Sequence, residues 1–305
     1  MYDTCNFRLD LGDISDGKPF GILPYLSDVS ERQNEKHGYS CSGKLDSYDV
    51  HVFQWGIYMN GSLAKFSMDG DNTGRMYRRT TQDAIEKISD LLHTDFGLAR
   101  VTLVDVAAVF PTNRPPCDYF SYLGNKTHFK RVLATPDTLY YKNHQRELCF
   151  YDKAKEQKEM PVFLQGCNVF RYELRFLHRV DKQLKASVTA NLLHDKHFYT
   201  SMVHRWRDEF LSINKNNEHS FMTDNIVTVK DAENALFSYA LQQLGQSTID
   251  DFLNELKATN KFKDRQRYHE LKKRLQSIYE VPRGQKSELI KELEMDVRNW
   301  SAYAR

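Results

Sequence analysis

The sequence predicts an α+β protein, in which a central antiparallel β-sheet with flanking helices precedes a helical C-terminal region. Three observations lead to this prediction: two candidate β-hairpins, a buried strand pattern between them, and successive helical patterns after residue 183. The chain has 305 residues, of which 40% are hydrophobic, so it is long enough to bury a large core. We divide it into residues 1–182, a β-rich domain, and residues 183–305, a helical region.

The N-terminal part predicts strands separated by a long loop. Apolar residues alternate in CNFRLDL (residues 5–11), which is typical of a half-buried strand. Residues 13–48 are rich in Gly, Ser and Asp, and we interpret them as loop with short pieces of structure. The segment DVHVFQWGIYMNGSLAKFSM then predicts a hairpin that turns at Asn60-Gly61.

A helix and a central strand follow. TTQDAIEKISDLLHTDFG has the apolar spacing of an amphipathic helix, which we expect to be capped by Thr80 or Thr81 and to end near Gly97. RVTLVDVAAVF (residues 100–110) is apolar on both faces, which predicts a strand in the centre of the sheet.

The second half of the domain predicts another hairpin and a further strand. TLYYK and ELCFYDK form the hairpin, which turns around residues 143–146, and NVFRYELRF (residues 168–176) forms the strand. Helical patterns then cover five segments: residues 196–213, 229–245, 247–258, 264–280 and 286–300.

Charge does not by itself indicate a nucleic-acid partner, because the formal net charge is only +2. Two stretches are nevertheless basic, namely residues 126–155 and residues 257–274. Both could follow a phosphate backbone, and a solvated helix face is an equally weighted interpretation of each. In the second stretch, the candidate DNA contacts are Lys263, Arg265 and Arg267.

Cysteine usage and hydropathy predict a soluble protein of the cytoplasm. The five cysteines have neither CxxC pairing nor zinc-ligand spacing, and their odd number fits reduced thiols. The N-terminus has no secretory apolar region, and no apolar run reaches the ~20 residues of a membrane helix.

Two carboxylates in strand patterns are candidate functional groups. Asp105 shares a strand face with apolar residues, so it needs a cation, a metal ion or several donors. Glu173 shares a face with Arg171 and Arg175, an arrangement that suits one metal ligand and two phosphate-binding cations. The alternatives are a structural salt bridge for Asp105 and a surface charge ladder for Glu173.

Tyr151 is the candidate nucleophile. A phenol has a pKa near 10, so it needs a nearby cation or metal ion before it can attack. Lys153 has the same strand parity and could supply that charge or hold a phosphate, and Asp152 could assist with a metal ion or a proton. A tyrosine at the end of a strand more often serves packing.

Several catalytic motifs are missing from the sequence. There is no His-hydrophobe-His pair, and His194 and His197, at helical spacing, are more simply surface histidines than metal ligands. The sequence also lacks a Walker loop, GxGxxG and GxSxG, which excludes nucleotide-driven motors, dinucleotide enzymes and α/β-hydrolases.

Taken in order, segments of residues 1–180 resemble a family of phage and plasmid replication proteins. These segments are MYDTCNFRLDL, GSLAKFS, VTLVDVA, LYYKNHQRELCFYDKAKEQ and VFRYELRFL. The family includes the gene II nicking protein of filamentous phages, and it is similar to the plasmid rolling-circle initiators of the Rep_trans type. FYDKxxE followed by RYELRF is the most specific part of the match.

The resemblance implies a site-specific DNA-nicking endonuclease and strand transferase that initiates rolling-circle replication. Tyr151 matches the nucleophile, which would form a 5′-phosphotyrosyl link and leave a 3′-hydroxyl primer. Asp105 and Glu173 match acidic positions suited to Mg²⁺ or Mn²⁺, and Lys153 and Glu156 match the flanking motif.

One position departs from the family pattern and affects the expected DNA contacts. Cys149 stands where the plasmid proteins tend to have an arginine, so Arg146 or Arg171 becomes the candidate phosphate-binding residue, with Arg175 beside them. The implied partner is origin DNA, single-stranded or in a hairpin at the nick site, with a host helicase and polymerase as further partners. A homodimer is left open, and residues 183–305 are assigned to DNA or partner binding.

Two other interpretations remain. A non-catalytic protein that binds origin DNA and recruits host replication factors would keep the basic helices but would not need its candidate catalytic residues to converge. A structural phage or plasmid protein would carry the motifs by chance. For the nicking enzyme, we expect Asp105, Glu173 and Tyr151 to lie together on one face of the sheet, beside a positively charged groove.

Overall fold

The chain forms two compact units. The computed structural model describes residues 1–14, 17–34, 38–157, 159–216, 226–244, 246–279 and 287–302. The first unit contains Met1–Asp118, His128–Ser212 and Glu294–Arg305, and the second contains Tyr119–Thr127 and Ile213–Leu293. None of the helices among the described residues is long and apolar enough to cross a membrane.

In the described residues, one antiparallel sheet of ten strands dominates the first unit. The strand order is β2-β3-β4-β5-β1-β6-β10-β9-β8-β7. The strands are β1 (Tyr2–Asp10), β2 (Ser27–Asn34), β3 (Gly38–Leu45), β4 (Tyr48–Phe53), β5 (Gly56–Gly61), β6 (Arg100–Thr112), β7 (Lys130–Thr135), β8 (Thr138–Lys142), β9 (Arg146–Asp152) and β10 (Asn168–Phe176).

Short helices and one longer helix lie between strands, and helices make up most of the C-terminal region, so the predicted fold class is confirmed. They are α1 (Leu63–Ser67), α2 (Arg78–Leu92), α3 (Pro116–Phe120), α4 (Lys153–Glu156), α5 (Val180–Leu184), α6 (Ala190–Leu193), α7 (Lys196–Leu211), α8 (Val229–Leu244), α9 (Gln246–Ala258), α10 (Arg265–Tyr279) and α11 (Glu288–Ala302).

The sheet has an apolar face and a polar face, as the alternating burial of the side chains along β1 shows. Cys5, Phe7 and Leu9 are fully buried on the apolar face, whereas the residues between them are half-buried on the polar face. Helix α7 covers the apolar face, where the ring of Trp206 stacks on Tyr172 at 4.8 Å between centroids. The Tyr172 hydroxyl donates a hydrogen bond to the Trp206 carbonyl, 3.0 Å away.

The predicted second hairpin and the central strands are confirmed. Strands β8 and β9 pair across the expected turn, where the Asn143 side chain accepts hydrogen bonds from the backbone N–H groups of Gln145 and Arg146 at 2.9 and 2.8 Å. Such an Asx turn explains why asparagine begins this connection. Strand β6 lies between β1 and β10 and is buried along most of its length.

The predicted turn of the first hairpin was wrong. Phe53 pairs with Gly56, so the chain turns at residues 54–55, and Asn60-Gly61 forms the end of β5. The local signal of Asn-Gly is overridden because Ser62 caps α1, accepting a hydrogen bond from the backbone N–H of Lys65.

The loop expected for residues 13–48 was also wrong, since this segment contains β2 and β3. Strand β2 lies at the edge of the sheet and its described side chains are exposed, so the strand needs no apolar alternation.

The ends of the predicted helix α2 differ from the expectation. The helix begins after Tyr77, and the Thr81 hydroxyl donates to the Tyr77 carbonyl instead of capping an N–H group. It ends at His93, which adopts the left-handed conformation (φ 49°) that terminates a helix, before Gly97.

Three helices of the second unit share a small core. Leu241, Ile249, Leu253 and Leu275, from α8, α9 and α10, form a buried cluster. On α10, Tyr268 also faces inward, whereas the side chains of Lys263, Arg265 and Arg267, at and just before the start of this helix, are exposed. These three residues are therefore accessible, and their predicted contact with DNA stays a prediction.

We expect Trp206→Ala to lower the free energy of unfolding by about 3–5 kcal/mol, because it empties a fully buried ring site. Urea denaturation followed by circular dichroism measures the change. Phe163→Ala is the matched control, since Phe163 is 71% exposed, and its effect should stay within about 0.5 kcal/mol. Equal effects of the two substitutions would contradict the packing of α7 on the sheet.

Candidate active site

Five predicted residues come from three adjacent strands. Arg175 of β10 pairs with Asp105 of β6, and Arg171 of β10 pairs with Tyr151 of β9. Paired residues of an antiparallel sheet point to the same face, and residues two apart on a strand do so as well. Asp105, Tyr151 and Glu173 therefore share the polar face, as the sequence predicted.

Tyr151 is joined directly to Glu173. Its hydroxyl donates a hydrogen bond to Glu173 Oε1 at 2.8 Å, and the Arg171 guanidinium lies 6.0 Å from the centre of its ring. Burial raises the pKa of Tyr151 well above its usual value, and the charge of Glu173 adds to this rise, while Arg171 opposes it. The phenol is therefore protonated at neutral pH.

Glu173 is held between two guanidinium groups. Oε1 also accepts from Arg171 Nε at 2.6 Å, and Oε2 accepts from Arg175 Nε at 2.8 Å. Burial would raise the pKa of this carboxyl group, which is 2% exposed, but the two arginines outweigh it and lower the pKa to about 2. Glu173 is therefore ionised at every pH at which the protein would work.

Arg171 connects Tyr151, Glu173 and the charged residues around them, which we call the Tyr151 cluster, to strand β1. Besides Glu173, it donates to the Asn72 carbonyl at 2.7 Å and forms an ion pair with Asp3. Its side chain is 1% exposed. A buried ion pair loses about 3–5 kcal/mol when one partner is removed, so Arg171 is fixed in place by its own surroundings.

Arg175 is the more accessible of the two arginines, with 28% of its side chain exposed. Three carboxylates surround its guanidinium: Glu173, Glu147 at 3.0 Å and Asp105 at 3.7 Å. Because its side chain is partly exposed, Arg175 is the arginine of this cluster that an incoming anion could contact, against the repulsion of these carboxylates.

Lys153 lies at the start of α4, where its side chain is 1% exposed and its ammonium group contacts the Glu156 carboxylate. Burial lowers the pKa of Lys153. Asp152 starts this helix, since its side chain accepts from the backbone N–H groups of Ala154 and Lys155 at 3.0 and 3.3 Å. Asp152 is therefore a helix cap, and it lies on the opposite face from Tyr151.

Arg146 does not join the cluster. It pairs with Phe176 on the apolar face, where it contacts the Glu209 carboxylate and lies 5.7 Å from the Phe129 ring. Strand parity explains the outcome, because Arg146 and Tyr151 are five residues apart and thus point to opposite faces. Of the two candidates for the missing arginine, only Arg171 lies beside Tyr151.

The neighbouring tyrosines occupy different positions. Tyr141 and Tyr172 are fully buried, whereas Tyr140 pairs with Cys149 on the polar face. Burial raises the pKa of Tyr140 to about 12, and the Lys142 ammonium lies 3.9 Å from the centre of its ring. Tyr140 is thus the tyrosine whose position competes most directly with that of Tyr151.

The cluster carries no excess of positive charge, and it does not itself form the positively charged groove that we expected beside it. Among the described residues, four cations face five carboxylates: Lys142, Lys153, Arg171 and Arg175 against Asp3, Asp105, Glu147, Glu156 and Glu173.

The carboxylates, as arranged, do not fit a divalent cation. Asp105 Oδ1 is buried and accepts no hydrogen bond, but both oxygens of Glu173 accept from guanidinium groups, and Arg175 lies against both side chains. Mg²⁺ requires about six oxygen ligands, and no group of three or more candidate ligands occurs in the described part of the chain, His194 and His197 included. Binding of Mg²⁺ or Mn²⁺ stays a prediction.

Three members of the cluster, Asp3, Lys142 and Glu147, were not identified from the sequence. Asp3 interrupts the register between β1 and β6, where a bulge turns its carboxylate towards Arg171. Glu147 pairs with Arg175 and has the same strand parity as Tyr151, a signal that was available in ELCFYDK.

One protein-family model matches most of this chain. It describes the N-terminal part of the gene II-like replication-associated protein of phages (Phage_CRI), and the match covers residues 1–209, which include the whole Tyr151 cluster. Among curated proteins, none matches the sequence. The chain therefore belongs to this family of phage replication-associated proteins, and its role lies in the initiation of DNA replication.

Proposed function

We propose that the protein nicks one strand of origin DNA with Tyr151 and stays joined to the 5′-phosphate. The observation that carries this proposal is the hydrogen bond from the Tyr151 hydroxyl to Glu173, an ionised carboxylate held by two arginines. A nucleophilic hydroxyl beside a base that other groups orient is the usual arrangement for covalent catalysis. The family match supports the same role in replication.

Activation of Tyr151 requires the cluster to rearrange. With a pKa of about 2, Glu173 is a weak acceptor for the proton of a phenol. A DNA phosphate that draws the partly exposed Arg175 away from Glu173 removes one of the two charges that lower this pKa. Glu173 then becomes a stronger base at the moment when the phosphate is in place, and Arg175 stabilises the charge on the phosphate.

The reaction transfers a phosphoryl group from the DNA to the protein. Tyr151 Oη forms a bond to phosphorus while the bond to the 3′-oxygen breaks, and the phenol proton moves to Glu173. The 3′-oxygen takes a proton from Lys153, whose buried ammonium has a lowered pKa and follows Tyr151 closely in the chain. The products are a phosphotyrosine and a 3′-hydroxyl that primes synthesis, and attack by a 3′-hydroxyl reverses the step.

Arg171 and Asp105 have supporting roles in this scheme. Arg171 keeps its contacts with Asp3 and Asn72 and fixes Glu173 next to the phenol. Burial raises the pKa of Asp105 well above its usual range, although Arg175 opposes the rise, so this carboxyl group contributes little negative charge. No step depends on a metal ion, and nicking with and without a chelator tests the prediction of Mg²⁺ or Mn²⁺.

We expect Tyr151→Phe to abolish the covalent adduct with labelled single-stranded origin DNA in Mn²⁺ buffer. The substitution removes only the hydroxyl, so the stability loss should be about 1 kcal/mol. Tyr140→Phe is the matched control on the same face and should keep the adduct. Peptide mapping that places the DNA on Tyr140 would show that the nucleophile is wrongly assigned. Binding without any adduct in the wild type would favour a non-catalytic origin-binding protein.

Glu173→Gln should reduce the nicking rate by about 100-fold or more, because the amide no longer accepts a proton. It should also lower the free energy of unfolding by about 3 kcal/mol, since the buried Arg171 and the partly exposed Arg175 lose this charged partner. DNA binding should survive, because affinity comes mainly from phosphate contacts. The control is Glu147→Gln, which touches Arg175 but not Tyr151, and full nicking by Glu173→Gln would refute the role of base.

The predicted DNA contact of the basic residues at the start of α10 is best tested by substitution and not by truncation of the chain. Deletion of the C-terminus would also remove Trp300, whose ring lies 4.8 Å from Trp206 in the first unit. The triple variant Lys263→Gln, Arg265→Gln and Arg267→Gln should weaken the binding of duplex origin DNA. The slope of the logarithm of the binding constant against the logarithm of the salt concentration should fall by about three, because about three phosphate contacts are lost. Cleavage of a single-stranded oligonucleotide should be unaffected. An unchanged salt dependence would make this segment an ordinary solvated face.

A further inference from the structure

Three aromatic rings, one exposed and two half-buried, form a cluster at the turn between β4 and β5, which we name the turn patch: Trp55, Phe53 and Tyr58. Phe53 and Trp55 are stacked, with centroids 4.6 Å apart and planes inclined by 10°, and Tyr58 meets Trp55 edge-on at 5.2 Å. The Arg8 guanidinium lies 5.7 Å from the Trp55 ring and 5.4 Å from the Tyr58 ring. Trp55 is 42% exposed, so water reaches a large part of the patch.

The turn patch lies on the polar face, the same face as Tyr151. Tyr58 pairs with Arg8 of β1, and Asn6, two residues earlier, pairs with Leu103 of β6. Leu103 and Asp105 share a face, and Asp105 pairs with Arg175 in the Tyr151 cluster. Strand β5 is four strand spacings from β9, which is roughly 19 Å across the sheet. Along the strands, Tyr58 is level with Arg100 of β6 and Tyr151 with Val109, an offset of roughly 30 Å that several nucleotides of an extended single strand would span.

The chemistry of the turn patch suits unpaired bases better than phosphates or a protein. Arg8 is neutralised by Asp10, 2.6 Å away, so the patch offers ring faces and a guanidinium plane rather than net positive charge. Bases of single strands stack on such surfaces without regard to sequence. A stable protein partner would need about 800 Å² of interface on this side, yet the neighbouring strand positions carry polar side chains such as His51 and Asn60.

We propose that the turn patch binds unpaired bases of the DNA strand that Tyr151 cleaves. This proposal rests on the proposed function and identifies where the strand lies on the protein. A single strand that crosses the polar face contacts the patch with its bases and presents a phosphate to the Tyr151 cluster. The patch therefore contributes affinity and positioning and takes no part in bond breaking.

Tryptophan fluorescence tests the turn patch without any cleavage. In the full-length protein with a chelator present, oligothymidylate should quench the emission of the exposed Trp55, because a stacked base contacts its ring. Trp55→Ala should abolish the quench and weaken binding by about ten-fold. Trp55→Phe should lose the quench but keep most of the affinity, since a ring remains. A duplex of the same length should produce no quench, because its bases are already stacked.

Tyr25→Ala is the matched control, because Tyr25 is 44% exposed but lies in the segment Pro19–Tyr25, outside the turn patch. It should bind and quench like the wild type. Wild-type affinity of Trp55→Ala would overturn the proposal, even where the wild type forms the Tyr151 adduct. If no adduct forms but the quench and the ten-fold loss occur, the nicking proposal fails and the turn patch stands as a base-binding site.

Discussion

The ion pairs of Glu173 with Arg171 and Arg175 are the interaction on which the rest of the polar face depends. All three side chains project from the central strand β10, and Glu173 and Arg171 are almost completely buried. Removing one partner of a buried ion pair leaves an uncompensated charge, which costs about 3–5 kcal/mol. The pairs also connect strands that are distant in sequence, because Arg171 reaches Asp3 of β1 and Arg175 reaches Asp105 of β6.

The same ion pairs set the chemical state of Tyr151. They keep Glu173 ionised and weakly basic, so the phenol remains a protonated hydrogen-bond donor until another anion engages Arg175. Because the folded protein lowers the pKa of Glu173 from 4.5 to about 2, its pairing contributes stability above pH 4.5, and this contribution is lost as the pH falls towards 2. In the proposed reaction, a cluster that is stable in the resting state becomes reactive only when a phosphate changes its charge balance.

Sequence patterns predicted the structure correctly where apolar and polar residues alternate in step with buried and exposed positions. The placement of Asp105, Tyr151 and Glu173 on three separate strands of one domain led to the expectation that they share a face, and strand parity could have excluded Arg146. The sequence patterns failed where contacts between residues far apart in the chain determine the structure. Strands β2 and β3 carry polar side chains at the sheet edge, and the contact of Asp3 with Arg171 joins residues 168 positions apart. No local pattern reports such a contact, because it depends on the register of β1 with β6.

The low net charge of the chain agrees with two different kinds of DNA contact on the polar face under the proposed function. At +2, the protein lacks the general attraction to phosphates that bulk positive charge would provide. Under the proposed function, specific contacts supply the affinity of the first unit for DNA. The turn patch would offer ring faces, and Arg175 would offer a guanidinium that is already paired with carboxylates. Base stacking is insensitive to salt compared with phosphate contacts. A strand anchored by stacking could thus hold its phosphate near Arg175 long enough to compete with Glu173 for that cation.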